Sequence, residues 1–175
     1  MDDILSYIDA HRDEYIGRIQ RACQQPSIST QDIGIAEMAE LCRSMLADVG
    51  ADARIIPIAG GNPVVFGQID GPSKRILNIY NHYDVQPPEP LELWASDPFA
   101  AEVRDGRIWA RGVGDNKGHL VARLCAVDAW RKVRGDLPLT IRFIYEGEEE
   151  IGSPNLERFV HENRDLITPA DGCIW

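Results

Sequence analysis

The chain has 175 residues, with 28 acidic side chains against 18 basic ones, a formal charge of −10, and 44% hydrophobic and 26% charged residues. That length and apolar fraction suffice for one domain with a substantial core. The charge argues against nucleic acid and anionic membrane as partners, because no basic stripe is left to offset phosphate repulsion over a binding face. No apolar run is long enough to span a bilayer, and Met1 to Ser6 has neither the basic nor the apolar stretch of a leader. A soluble, globular protein of the cytoplasm is expected. Cys23, Cys42, Cys125 and Cys173 form no C-x-x-C pair and each lies in or beside an apolar run. They are read as buried free thiols rather than a disulfide framework or a thiolate metal site.

In chain order, Ile4, Ile8, Tyr15, Ile16, Ile19 and Cys23 recur at helical spacing, which predicts one helix ending near Gln25-Pro26. A second amphipathic helix carries Ile33, Ala36, Met38, Leu41, Met45 and Leu46 and is stopped by Gly50. Ala53 to Ile58, Val64 to Ile69 and Lys74 to Tyr80 are rich in β-branched residues and separated by Gly, Pro and Asn or Asp, so three strands follow. Pro87, Pro88, Pro90 and Pro98 make Val85 to Asp97 an ordered surface loop. Arg104-Asp105-Gly106 signals a hairpin between Ala100 to Val103 and Arg107 to Ala110. Leu120 to Val133 has the spacing of a helix packed on a sheet, and Leu139 to Tyr145 reads as a strand covered on both faces. Pro154 to Glu162 is predicted helical, with Ser153 as cap, and Asp171 to Trp175 begins a last strand. Helices alternating with strands favour an α/β fold, a layered αβα domain with a mixed sheet, whose ligand sites lie where strands end.

Three segments concentrate acidic or imidazole groups at such ends: Asn81 to Pro87, Gly114 to Gly118 and Glu146 to Ser153. Converging carboxylates repel one another and resist ionisation unless a multivalent cation neutralises them, so a metal site is the first expectation. His82 and Asp84, two apart on an extended segment, point to the same side. His82 would then be a ligand, with Asp84 accepting the other ring N–H and fixing the tautomer, the alternative being a pair that caps the strand end with ordinary hydrogen bonds. Asp115 follows Gly112-Val113-Gly114 just before a helix, where its oxygens can bridge two cations or it can simply cap the helix. The glycines themselves match neither the G-x-G-x-x-G nor the Walker pattern of a phosphate loop. Among Glu146, Glu148, Glu149 and Glu150, adjacent glutamates in a turn supply a carboxylate ligand and an unligated general base. His11, His119 and His161 are read as incidental.

In this order and spacing the three segments resemble the co-catalytic zinc metallopeptidases, a family that includes carnosinase-type dipeptidases, aminoacylase, acetylornithine deacetylase, succinyl-diaminopimelate desuccinylase and carboxypeptidase G. The resemblance runs from about Ile28 to Trp175. His82 to Pro87, Leu93-Trp94-x-x-Asp97-Pro98-Phe99 and Asp105 to Gly112 look most like the dipeptidase branch. The resemblance implies His82 as ligand of one zinc, Asp84 as its orienting partner, Asp115 as bridging carboxylate, Glu149 as general base and Glu150 as ligand of the second zinc. The last two are anchored on Gly152-Ser153, because this chain has Glu148-Glu149-Glu150 where the family usually has one pair. It also implies a cis peptide bond between Asp115 and Asn116.

The function expected is a metal-dependent hydrolase cleaving the amide bond of dipeptides or small peptides with two zinc ions, manganese or cobalt being acceptable substitutes. The alternatives are deacylation of an N-acylated amino acid on the same metals, and a non-catalytic metal-binding or interaction module. The resemblance further implies that residues 1–175 are the amino-terminal part of a catalytic domain. The rest of that domain and a lid that supplies homodimer contacts lie outside them, so the chain alone is expected to be incomplete and inactive.

Overall fold

The computed structural model describes residues 1–175. Helices α1 (Asp2–Ala10), α2 (Arg12–Gln24) and α3 (Ile35–Asp48) precede strands β1 (Asp52–Ile58), β2 (Gly61–Ile69) and β3 (Ile76–His82). A small hairpin, β4 (Glu102–Arg104) and β5 (Arg107–Trp109), leads to α4 (Lys117–Arg134) and β6 (Thr140–Glu146). The chain closes with α5 (Leu156–Glu162), α6 (Arg164–Ile167) and β7 (Gly172–Ile174). The main sheet has the order β1-β2-β6-β3-β7. β6 runs antiparallel to β2 and parallel to β3, and β7 is parallel to β3, so the sheet is mixed as expected.

Alternation along the strands divides the apolar side chains between two unequal cores. Val65, Ile69, Phe143 and Tyr145 join Met38, Leu46, Leu120 and Leu124 in the larger one, on the side of α3 and α4. Val64, Phe66 and Ile144 face the other way and pack with Phe159, flanked by Leu156, Val160 and Leu166. β6 is thus covered on both faces, between two helical layers. Outside α4, the Tyr15 hydroxyl donates to the buried Asp128 carboxylate at 3.1 Å and the Arg18 guanidinium pairs with it at 3.1 Å, pinning α2 to α4.

The departures from expectation are local. The first helix is two, broken at His11, whose backbone sits at φ −110°, ψ 19° and whose ring stacks on Tyr7 at 3.9 Å between centroids. Ile4 and Tyr15 share one core across the break, so the apolar period runs through it undisturbed. The second helix starts at Ile35: Ile33 instead bridges to Ile28, after a 3₁₀ turn (Ser29–Gln31) and left-handed Asp32 at φ 53°. Gly34, also left-handed at φ 69°, lies so close to the Pro26 carbonyl that a Cβ would fall 2.2 Å from it. Ser153 does not cap α5; at φ 50° it turns its hydroxyl to Glu146 at 2.9 Å, and Asn155 precedes the helix. Cys23, Cys42 and Cys125 are buried free thiols, but Cys173 is exposed, because β7 lies at the sheet edge with no helix over it. No helix is long and apolar enough to cross a membrane.

Candidate metal centre

β3 and β6 pair in parallel for seven residues, from Ile76 opposite Thr140 to His82 opposite Glu146. Both strands therefore stop at the same level, and the segments after them come side by side. The end of β3 is held from outside by Ser27, whose hydroxyl donates to the Tyr83 carbonyl at 2.6 Å while its own carbonyl accepts the Val85 N–H at 2.8 Å.

His82 is buried, and its Nε2 faces Asp115 Oδ1 at 3.0 Å and Glu149 Oε2 at 3.7 Å. One nitrogen of His82 and one oxygen each of Glu149 and Glu150 lie within 4.8 Å of one another, a grouping that can hold a metal ion. On the other side of the ring, Nδ1 is 3.2 Å from the Asp84 main-chain oxygen and 3.4 Å from its Oδ1. The Asp84 carboxylate is fully buried and does more than steady the imidazole. Its two oxygens accept the backbone N–H groups of Glu149, at 3.2 Å, and Glu150, at 3.0 Å. One side chain thereby fixes the ring at the end of β3 and the turn after β6. Gln86, which the sequence reading passed over, donates to the Glu150 carbonyl at 2.8 Å and to its carboxylate at 2.9 Å. Its place two residues after Asp84 on the same extended segment was the available signal.

The run of glutamates separates into three roles. Glu146 is buried and accepts from the Tyr80 and Ser153 hydroxyls; burial raises its pKa against those two bonds. Glu148 is buried and turned away, accepting the Asn62 N–H at 2.9 Å and the Asn155 amide at 3.0 Å, so it ties the β1–β2 turn to the start of α5. Only Glu149 and Glu150 face His82. Asp115 belongs to the cluster through His82 but is 76% exposed, and Glu149 is 44% exposed. The centre is therefore open to solvent at the carboxyl ends of β3 and β6 rather than enclosed. The Asp115–Asn116 peptide bond is cis, as expected. Asp171 lies at the opposite end of β3, where its carboxylate accepts the Ile76 N–H at 2.8 Å. His119 and His161 are exposed, and neither they nor His11 join the cluster.

Electrostatics give the cluster its character. Burial disfavours a charged His82, but the hydrogen bond and charge of Asp84, then the charges of Glu149 and Asp115, outweigh it and push the pKa up to about 9. Glu150 is raised by burial, lowered by the Gln86 bond, and raised again by Asp115. Several anions thus surround one group able to carry positive charge. A buried imidazole, a carboxylate behind it and carboxylate oxygens in front suit a divalent metal ion.

Fold and cluster together define a layered α/β protein with a candidate metal centre at the carboxyl ends of adjacent parallel strands. The sequence profile of Peptidase family M20/M25/M40 matches residues 78–174, a span that includes every residue of the cluster, and the chain belongs to that family. It is 32% identical to the Cys-Gly metallodipeptidase dug1 of Schizosaccharomyces pombe over 99% of this chain and 40% of that protein. The crystal structure of the M20 family metallo-carboxypeptidase Sso-CP2 from Sulfolobus solfataricus superposes with a TM-score of 0.87 at 39% identity, covering 92% of this chain and 36% of that one. Human carnosine dipeptidase 1 superposes with a TM-score of 0.90 at 30% identity, covering 98% and 40%. The chain thus spans about two fifths of the length of these relatives.

Proposed function

We propose that these residues contribute the metal-holding and proton-transferring part of a hydrolase that cleaves the amide bond of dipeptides or small peptides. The observation that carries this reading is the approach of Asp115 and Glu149 to the outward nitrogen of His82, with Glu150 grouped beside them and Asp84 behind the ring. His82 and Glu150 would each hold one of two zinc ions, or manganese or cobalt in their place, and Asp115 would bridge them. Such ions, when bound, polarise the scissile carbonyl and lower the pKa of a water toward about 7. Glu149 is left as the general base: its side chain stands at the solvent-facing rim while its backbone N–H is held by Asp84. From there its carboxylate takes the proton of the attacking water and returns it to the departing amine.

Peptide rather than N-acyl substrates are favoured by the dipeptidase names of the relatives matched over nearly the whole chain. The same reading makes residues 1–175 the amino-terminal part of a catalytic domain in a cytoplasmic homodimer, with further ligands and substrate contacts supplied from beyond them. Its support is that these relatives are more than twice as long.

The test is metal content and turnover of the protein at its native length, beside Glu149→Ala. Wild type should hold metal and hydrolyse dipeptides faster than N-acetyl amino acids. The variant should hold the same metal and lose roughly 10²-fold or more in kcat. Full activity in Glu149→Ala, or a wild type that holds no metal, would sink the proposal.

A further inference from the structure

Asp115 poses a question of support. Its side chain is 76% exposed, and His82 is the only side chain within ion-pair distance of it. An exposed carboxylate on a glycine-rich loop has many orientations, and holding one of them costs side-chain and loop entropy. Something else must keep the loop in place.

Asn81 stands next to it. It immediately precedes His82 on β3 and is fully buried, with its side chain on the opposite face of the strand from His82. Its amide is used at both ends. Oδ1 accepts from Arg123 Nη1 on α4 at 2.7 Å, and Nδ2 donates to Asn116 Oδ1 at 3.1 Å. Arg123 also donates to the Tyr80 carbonyl at 3.1 Å and has no carboxylate partner, so its guanidinium is committed to the end of β3. The orientation of the Asn81 amide follows from this chemistry. A guanidinium only donates, so the amide oxygen must face Arg123 and the amide nitrogen is left for Asn116. Neither an apolar residue nor a purely accepting one offers both ends. Asn116 in turn is bonded to Asp115 through the peptide link and opens α4, where its carbonyl accepts the Leu120 N–H at 3.0 Å.

We infer that Asn81 is a positioning residue for Asp115: locked by Arg123, it holds Asn116 and so keeps the exposed carboxylate in front of His82 Nε2. The inference rests on the reading of Asp115 as a metal ligand and goes beyond it by naming what aims that ligand. Supporting partners of metal ligands contribute about 10- to 100-fold to metal affinity.

The experiment is titration of the metal-free protein, at its native length, with cobalt(II), read by calorimetry and by the visible absorption of the bound ion, alongside dipeptide kinetics. Asn81→Ala and Asn116→Ala should each weaken cobalt binding about tenfold or more, change the absorption band, and lower kcat with little change in KM. The double variant should be no worse than the poorer single one, since both cut the same link. Asn116→Asp, which keeps an oxygen for Asn81 Nδ2, should retain the wild-type spectrum. If Asn81→Ala fails to fold, the half-buried Asn116→Ala decides alone. Wild-type affinity and spectrum in Asn116→Ala, or strictly additive losses, would overturn the inference while leaving the metal reading intact. A wild type that binds no cobalt would overturn both.

Discussion

His82 is subject to two competitors for one nitrogen. With its pKa pushed up to about 9 by Asp84, Glu149 and Asp115, the metal-free ring is protonated at neutral pH, and an incoming ion must displace that proton. Apparent metal affinity should therefore rise by up to about tenfold per pH unit and level off above about pH 9. The metal-free fold behaves in the opposite sense. A raised histidine pKa contributes stability that is complete below the unfolded value of about 6.5 and is lost as pH climbs through about 9. Thermal melts between pH 6.5 and 9.5 should fall in chelator and rise in limiting zinc; parallel slopes would show that His82 does not couple the two. The neighbouring glutamates show how far residue-level reading reaches. That Glu149 and Glu150, rather than Glu148, face His82 was legible only through the Gly152-Ser153 anchor. The physical sorting is done by backbone angles, with Ser153 at φ 50° and Gly152 at φ 86° closing the turn, and by bonds from Asn62 and Asn155 to Glu148. Neither is written in the run itself.

Elements were legible wherever an apolar period coincides with a regular backbone. α4 and β6 came through because Leu120, Val121, Leu124 and Val127, and Ile141, Phe143 and Tyr145, point into one core. The break at His11 and the late start of α3 did not, since a period registers side-chain direction and is blind to a few residues of altered backbone. The turn leaving β6 is where an element meets the centre. Gly147 lies against Tyr83, and an added Cβ would sit 2.4 Å from the phenol oxygen, which donates to the Pro63 carbonyl at 2.6 Å. Tyr83 is fully buried between His82 and Asp84 in the chain and has nowhere to retreat. Gly147→Ala should therefore destabilise by about 1–3 kcal/mol, lowering the melting temperature by several degrees, and should weaken metal binding as the strand end shifts. An unchanged melt would mean that the ring moves at no cost.

At the scale of the whole molecule, burial divides the cysteines by reactivity. Burial raises Cys23 and Cys125 to about 11 and Cys42 to about 12, far from the thiolate range, whereas Cys173 is exposed on β7. Mass spectrometry after brief treatment of the 175-residue chain with iodoacetamide should find modification at Cys173 alone, and at all four only in denaturant. Early labelling of Cys42 would contradict the packing of the larger core. The layered α/β class and its mixed sheet were legible from the alternation of elements, but the strand order was not. The neighbours β2 and β6, and β6 and β3, are brought together by pairing across long stretches of chain, which local patterns do not encode. That pairing has a kinetic meaning. Asp84 and Glu149 are 65 residues apart, and what joins them is the parallel ladder between β3 and β6. Parallel pairing over so long a loop is slow to nucleate, and the candidate ligands cannot meet before it has happened. On a ribosome, His82 and Asp84 emerge well before the glutamates they await, so the cluster cannot assemble until β6 has been made and has found β3.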